Sequence, residues 1–173
     1  MTFKLRIAIS ACLIGQPVRY DGQDKHQAWL EHIHHVDWIP ICPEVEAGMS
    51  VPREKIQVEL ADGKLKLMAI ESRQDWSETM DDVANRWITQ LQKQQVSGYV
   101  FKSRSPSCGL QGVPLYEADG SLVEKQVQGR FAQRVNECMP GLPLIEETQM
   151  SVEVSRHEFL IRAWQFHRNC HSD

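Results

Sequence analysis

Three cysteines stand in loops rich in glycine, proline, serine and charge, each just after a short apolar run. Cys12 lies in ISACLIGQPVRYDG, Cys42 in ICPEVEAGMSVPRE and Cys108 in FKSRSPSCGL. Thiolates are soft ligands that select zinc, copper(I) or iron–sulfur clusters. Three of them with no obvious fourth ligand imply a metal centre with one open position, and an open position is where chemistry happens. No ferredoxin-type C-x-x-C run is present, so spacing alone does not choose between zinc and a cluster. The bland alternative is three inert core cysteines, since cysteine is among the most buried residue types; the polar loops around them speak against it. Cys138, on an expected helix among apolar neighbours, reads as core, and Cys170, near the C-terminus, as exposed.

Other chemically capable residues share these loops. Glu44 is two residues from Cys42 and could move a proton to or from water, provided that its setting is buried. Lys102, Ser103 and Ser105 precede Cys108 and could steady a developing negative charge. Arg19, Tyr20 and Asp21 could meet a substrate or an anionic centre, or form an ion pair and turn before Gly22. Arg53 and Glu54 could buttress the second loop. His32, His34 and His35 resemble a metal cluster at first sight, but only i,i+3 or i,i+4 positions share a helix face; a solvated helix end is the better reading.

The elements that must position these residues follow from periodicity. Residues 4–10, 37–42, 98–102 and 142–145 read as buried strands. Asp24 with Gln27, followed by Trp29, Leu30, Ile33 and Val36, predicts a helix over 24–36. Residues 43–55 read as loop. Asp62-Gly63 between 56–60 and 64–70 predicts a small hairpin insertion. Asp75 and Glu78 look like a capping box for a helix burying Trp76, Met80, Val83, Ala84, Trp87, Ile88 and Leu91. Residues 103–120 read as a long loop and 129–138 as a helix. A last helix is expected from Ser155, with Phe159, Leu160, Ala163, Trp164 and His167 on its apolar stripe. The alternation predicts an α/β fold: one compact three-layer domain with a mainly parallel, Rossmann-like sheet. The site belongs to residues 1–150, and residues 151–173 supply a C-terminal helix packed on the same domain. In such sheets ligands bind outside the carboxyl ends of the strands, which is where all three cysteines fall.

Composition narrows the class. A chain of 173 residues buries roughly 70% of its unfolded surface and needs no staples. Five widely spaced cysteines without a secretory signal argue against a disulfide framework and for metal-binding or reactive thiols. The N-terminal apolar run is interrupted by Arg6 and enters a glycine-bearing loop, so it reads as a strand and a cytoplasmic location is expected. No apolar stretch is long enough to cross a membrane. A net charge of −4 offers no large basic surface, so nucleic acid is not expected as a partner, although transfer RNA is not excluded. Oligomeric state is not legible.

The segments around Cys12, Cys42 and Cys108 closely resemble, in order, the signature motifs of the thiouracil desulfidase family, over about residues 5–145. The resemblance implies a compact α/β domain in which three cysteines, here Cys12, Cys42 and Cys108, hold a [4Fe–4S] cluster with one iron free of protein ligands. It implies removal of sulfur from 2-thiouracil, giving uracil and hydrogen sulfide without net redox change. Glu44 then resembles the catalytic acid/base, and Ser103 and Ser105 resemble active-site hydroxyls; Lys102, Arg19 and Asp21 are candidates for contact with a small thio-base. Three other readings compete. An iron–sulfur electron carrier or redox sensor would need a fourth ligand such as Cys138, Cys170 or a histidine. A sulfur-transfer enzyme acting on transfer RNA would need a basic groove. A cysteine phosphatase would use Cys12 and Arg19, but here six residues separate them, Tyr20 follows, and the other two cysteines go unexplained.

Overall fold

The run LRIAIS at Leu5–Ser10 (β1) buries residues on both of its faces, which is the mark of a central strand covered on two sides. A computed structural model describes residues 4–171. In chain order the further strands are Val36–Ile41 (β2), Ile56–Ala61 (β3), Lys64–Ala69 (β4), Tyr99–Phe101 (β5), Val113–Glu117 (β6), Leu122–Val127 (β7) and Leu144–Glu146 (β8). The helices are Pro43–Glu46 (α1), Ser77–Lys93 (α2), Arg130–Cys138 (α3), Glu147–Met150 (α4) and Glu153–His171 (α5), with 3-10 turns at Ala11–Ile14 and Ala28–His32.

Two four-stranded sheets result. The first is parallel throughout, in the order β2-β1-β5-β8; the second is mixed, in the order β4-β3-β6-β7. Alternation along β1 splits the core. Ala8 faces one cluster with Ile41, Tyr99, Phe101, α2, α3 and residues of the second sheet. Leu5, Ile7 and Ile9 face another, with Trp29, Val100, Ile145, Phe159 and Ala163. Full burial of one such large side chain contributes about 1.5–3 kcal/mol. This is the expected α/β domain with a mainly parallel sheet, and α5 lays Phe159 and Ala163 into its second cluster. No helix among the described residues is long and apolar enough to cross a membrane.

The structure departs from the sequence expectations in five places, one of them α1, which lies within 43–55 where loop was expected. The helix expected over 24–36 shrinks to the 3-10 turn Ala28–His32. Its two capping residues are spent locally: Asp24 Oδ1 accepts from the His26 amide, and Gln27 Oε1 accepts from Trp29 Nε1. The backbone amides of Lys25 and Gln27 donate to the carbonyls of Cys12 and Leu13 at 2.8 and 3.0 Å, so the segment is tied to another loop rather than to itself. The hairpin around Asp62-Gly63 is not a small insertion but half of the second sheet. The other half, β6 and β7, lies where a loop was expected; Gly109, Gly112 and Pro114 disguise an alternation that buries Val113 and Leu115, and a register shift at Pro114 absorbs the proline. At α2 the capping box does not form: Asp75 Oδ1 accepts from the Ser77 amide instead.

Candidate active site

Each strand of the parallel sheet releases its chain at one rim, and each release carries a polar side chain. After β1, Ser10 leads into the 3-10 turn that holds Cys12, which Gly15 closes at φ 94°, a left-handed conformation suited to glycine. After β2, Cys42 is followed by α1, whose Pro43 at the first helical position suits a helix start. After β5 come Lys102, Ser103 and, a tight loop later, Cys108; after β8 comes Glu147. A cavity of about 670 Å³ opens over this rim, with Cys12, Cys42, Cys108, Glu44, Lys102, Ser103, Ser105 and Arg19 on its wall. Residues Ile56, Gln57 and Val58 of β3 and Val113, Pro114 and Tyr116 of β6 complete the wall, so the site lies between the two sheets.

Glu44 is held at both oxygens. Ser107 Oγ donates to Oε1 at 2.9 Å, and Arg53 donates to Oε2 through Nε at 2.8 Å and Nη2 at 2.6 Å. The Arg53 and Glu44 side chains are only 7% and 13% exposed, so breaking the pair would leave a charge in a dry setting, a loss of about 3–5 kcal/mol. Arg53 also donates to the carbonyls of Val18 and Ser50, and its amide donates to the Tyr20 carbonyl. It therefore stitches the first cysteine loop to the second. Glu54 accepts from the amides of Glu71 and Ser72 and so buttresses the far side of the second loop.

Across the cavity, buried Glu147 gathers three donors. Lys102 Nζ and Ser103 Oγ reach its Oε1, the latter at 2.8 Å, and the Ser103 amide reaches Oε2 at 2.6 Å. Ser105 Oγ accepts from the amides of Ser107 and Cys108 at 3.2 and 3.0 Å, which closes the turn that presents Cys108. Gly129 lies against that turn: a side-chain carbon there would come within 2.6 Å of the Ser107 carbonyl carbon and 2.8 Å of the Cys108 nitrogen.

The thiols share one electrostatic environment. Burial pushes the Cys12 thiol up to about 11, with Cys42 adding to the rise and Lys102 and Arg19 opposing it. Burial also raises Cys42, against amide hydrogen bonds that lower it. Cys108 is raised well above the ordinary thiol range, by burial first and then by Cys42 and Glu44. All three therefore carry protons at neutral pH in the metal-free protein, and a metal must displace those protons on binding. Among the described residues, no three His, Cys, Asp or Glu side chains converge closely enough to grip a single ion.

Residues 7–147 match the model of the 2-thiouracil desulfurase family. The chain belongs to this family. It is 26% identical to an uncharacterized protein, YbbK, of Bacillus subtilis (strain 168) over 110 residues, which cover 60% of this chain and 72% of that one. It is also similar to a solved structure, the [4Fe-4S]-dependent thiouracil desulfidase TudS, with 26% identity and a TM-score of 0.64, over 90% of this chain and 99% of that chain. The resemblance read from the three motifs and the α/β fold both hold.

Within this 2-thiouracil desulfurase family member, the rim brings together Cys12, Cys42, Cys108, Glu44, Lys102, Ser103, Ser105 and Arg19. Asp21 is not on the cavity wall; it stands outside, 3.5 Å from Arg19 Nε, and accepts from the Gln23 amide. Cys138, partly buried against the core, and Cys170, exposed, do not line the cavity, and the three histidines at 32, 34 and 35 are all solvent-exposed. A raised Cys12 thiol is the opposite of what a phosphatase nucleophile requires. Two residues escaped the sequence reading. Ser107 was visible as the serine beside Cys108, but nothing local marks it as the partner of Glu44. Glu147 follows an apolar run as Lys102 does, and that placement was its only signal.

Proposed function

We propose that this protein hydrolytically removes sulfur from a thiolated pyrimidine, with a [4Fe–4S] cluster held by Cys12, Cys42 and Cys108. The observation that carries the reading is the meeting of three thiols and a doubly held carboxylate on one cavity wall. The donor set fits the group. Three soft thiolate donors on one cavity wall are what iron–sulfur ligation would need. Lys102 and Arg19 face the Cys12 thiol and would offset the negative charge of bound thiolates. When bound, the cluster supplies an iron without a protein ligand, a soft Lewis acid suited to a thiocarbonyl sulfur.

The chain's own residues do the rest. Glu44 accepts a proton from the attacking water, and the water oxygen bonds to the thiocarbonyl carbon. The carbon–sulfur bond then breaks, the carbon keeps oxygen, and both protons of the water end on sulfur as hydrogen sulfide; no electron changes hands. Arg53 and Ser107 fix the carboxylate so that the lone pair left on Oε1 meets the water. Lys102, held by Glu147 and by the Ser103 carbonyl and hydroxyl, sets a positive charge on the cavity wall that would oppose negative charge developing on the pyrimidine ring. The fold of the second sheet encloses the ring with Ile56, Val58 and Val113.

The test is anaerobic reconstitution, iron and sulfide counting, and sulfide release from 2-thiouracil and 4-thiouracil. Cys42→Ala is expected to lose cluster and activity together. Glu44→Gln is expected to keep the cluster's visible absorbance and lose at least about 100-fold in turnover, the scale of a general base. Full activity in Glu44→Gln removes that residue from the mechanism, and a loaded wild-type protein that frees no sulfide from either base ends the proposal.

A further inference from the structure

Tyr99 sits in the middle of the parallel sheet, on β5, opposite Ala8 of β1 on one side and Leu144 of β8 on the other. Its ring is fully buried, stacked on Phe101 at 3.8 Å between centroids and met edge-on by Phe131 at 6.2 Å. A phenylalanine would make every one of those contacts. The hydroxyl is what needs explaining: it is buried, and no hydrogen-bonding partner among the described residues reaches it. Native proteins seldom bury a polar group unpaired, because its lost hydration goes uncompensated. An orphan of this kind marks a partner that the polypeptide does not supply.

The position of the ring says which partner. Tyr99 faces the same core cluster as Ala8, Ile41 and Cys108. Ile41 leads directly into Cys42, and Ala8 is two residues before Ser10 at the rim. Burial first, and then Cys108, Cys42 and Cys12 in that order, hold the phenol's proton well above the ordinary tyrosine range. The hydroxyl thus belongs to the core cluster that holds Cys108, is left without a partner there among the described residues, and keeps its proton to donate.

We propose that the Tyr99 hydroxyl donates a hydrogen bond to a sulfur of the centre held by Cys12, Cys42 and Cys108, from the sheet side and opposite the cavity. Tyr99 is thus a positioning and tuning residue rather than a catalytic one. Donors aimed at cluster or cysteinyl sulfur withdraw electron density and raise the reduction potential. Withdrawal of density also strengthens the open iron as a Lewis acid. The inference rests on the cluster reading of the preceding section.

Tyr99→Phe tests it, because the change removes one oxygen and leaves the aromatic packing in place. Wild type and variant are reconstituted anaerobically and titrated potentiometrically, and the reduced centre is examined by electron–nuclear double resonance before and after exchange into D2O. The variant is expected to show a more negative potential, loss of one exchangeable proton coupling, and roughly five- to tenfold faster cluster loss to a chelator, the scale of one hydrogen bond of ordinary net strength. The apoprotein of the variant is expected to melt no lower than wild-type apoprotein, since only an unpaired hydroxyl is lost. A fully loaded variant with unchanged potential and unchanged couplings overturns the inference while leaving the cluster reading intact. So does a less stable variant apoprotein, which would mean that the hydroxyl already has a partner such as an ordered water. If the wild-type protein itself takes up no iron and sulfide, the cluster reading fails and this inference falls with it.

Discussion

Ser107 shows how much a single hydroxyl can be asked to do. It is fully buried, donates to Glu44 Oε1 at 2.9 Å, and adjoins Cys108 in sequence, so it couples the carboxylate to the third cysteine. Ser107→Ala leaves one oxygen of a buried carboxylate without its donor. The expected result is a loss of about 1–3 kcal/mol in urea unfolding, with the cluster retained and turnover lowered by roughly tenfold, less than in Glu44→Gln. Unchanged turnover would mean that Arg53 alone orients Glu44. The place of Glu44 on the cavity wall was legible from its position beside Cys42, because loops at the carboxyl ends of strands line the crevice. Arg53 was legible as a buttress of the Cys42 loop, 9 residues on, but Ser107 was not, because it stands 63 residues away and only the fold brings it near. Ser103 and Ser105 were legible as serines of a cysteine loop, whereas the tasks that separate them, one facing Glu147 and the other closing the Cys108 turn, are properties of hydrogen-bond geometry.

At the scale of elements, two contacts decide whether the rim keeps its shape. The first is the approach of Gly129, at the start of α3, to the backbone of Ser107 and Cys108. Both neighbours are main chain, so an added methyl must push the loop rather than a side chain. Gly129→Ala is expected to displace Cys108, lower iron content by more than half on reconstitution and cost about 1–3 kcal/mol, the range for overpacking; iron analysis and urea melts check both. The second is the Arg73–Glu59 pair, with both bonds at 2.7 Å, which anchors β3 beside the cavity. Hydrogen bonding from Arg73 lowers the Glu59 carboxyl below its ordinary value, against a burial that raises it. The folded state then binds fewer protons than the unfolded chain at acid pH, so the pair's contribution is present above the unfolded value of ~4.3 and is lost as pH falls through the folded value. Urea midpoints of wild type should drop on acidification below that point, and those of Arg73→Ala should start lower and drop less. The strand alternation of β1 and the amphipathic stripe of α2 were readable because each is a local repeat. The helix expected over 24–36 was not formed because distant carbonyls, those of Cys12 and Leu13, claimed its amides first. The β6–β7 hairpin was hidden because its glycines and proline outweighed a short alternation.

For the molecule as a whole, the second sheet matters most. Read from sequence, the Asp62-Gly63 hairpin looked peripheral; in the structure β3 and β6 form the far wall of the cavity. The site is therefore a seam between two sheets, and its enclosure depends on packing that no single segment encodes. The division of the cysteines follows the same geometry. Cys12, Cys42 and Cys108 stand at the rim, while Cys138 and Cys170 lie away from it. The double variant Cys138→Ala/Cys170→Ala is expected to retain wild-type iron content, absorbance and sulfide release. Loss of cluster absorbance in either single replacement would instead assign a fourth protein ligand and favour an electron carrier.

The rim draws on four strands whose carboxyl ends lie at Ser10, Ile41, Phe101 and Glu146. No shorter stretch holds the three thiols and the Glu147 brace together, and contacts so distant along the chain form late because the intervening loops must close first. A nascent polypeptide emerging from the ribosome can therefore offer iron only scattered single thiols. A centre gripped by all three thiols would therefore need the rim already folded, with its mouth open, before it is loaded.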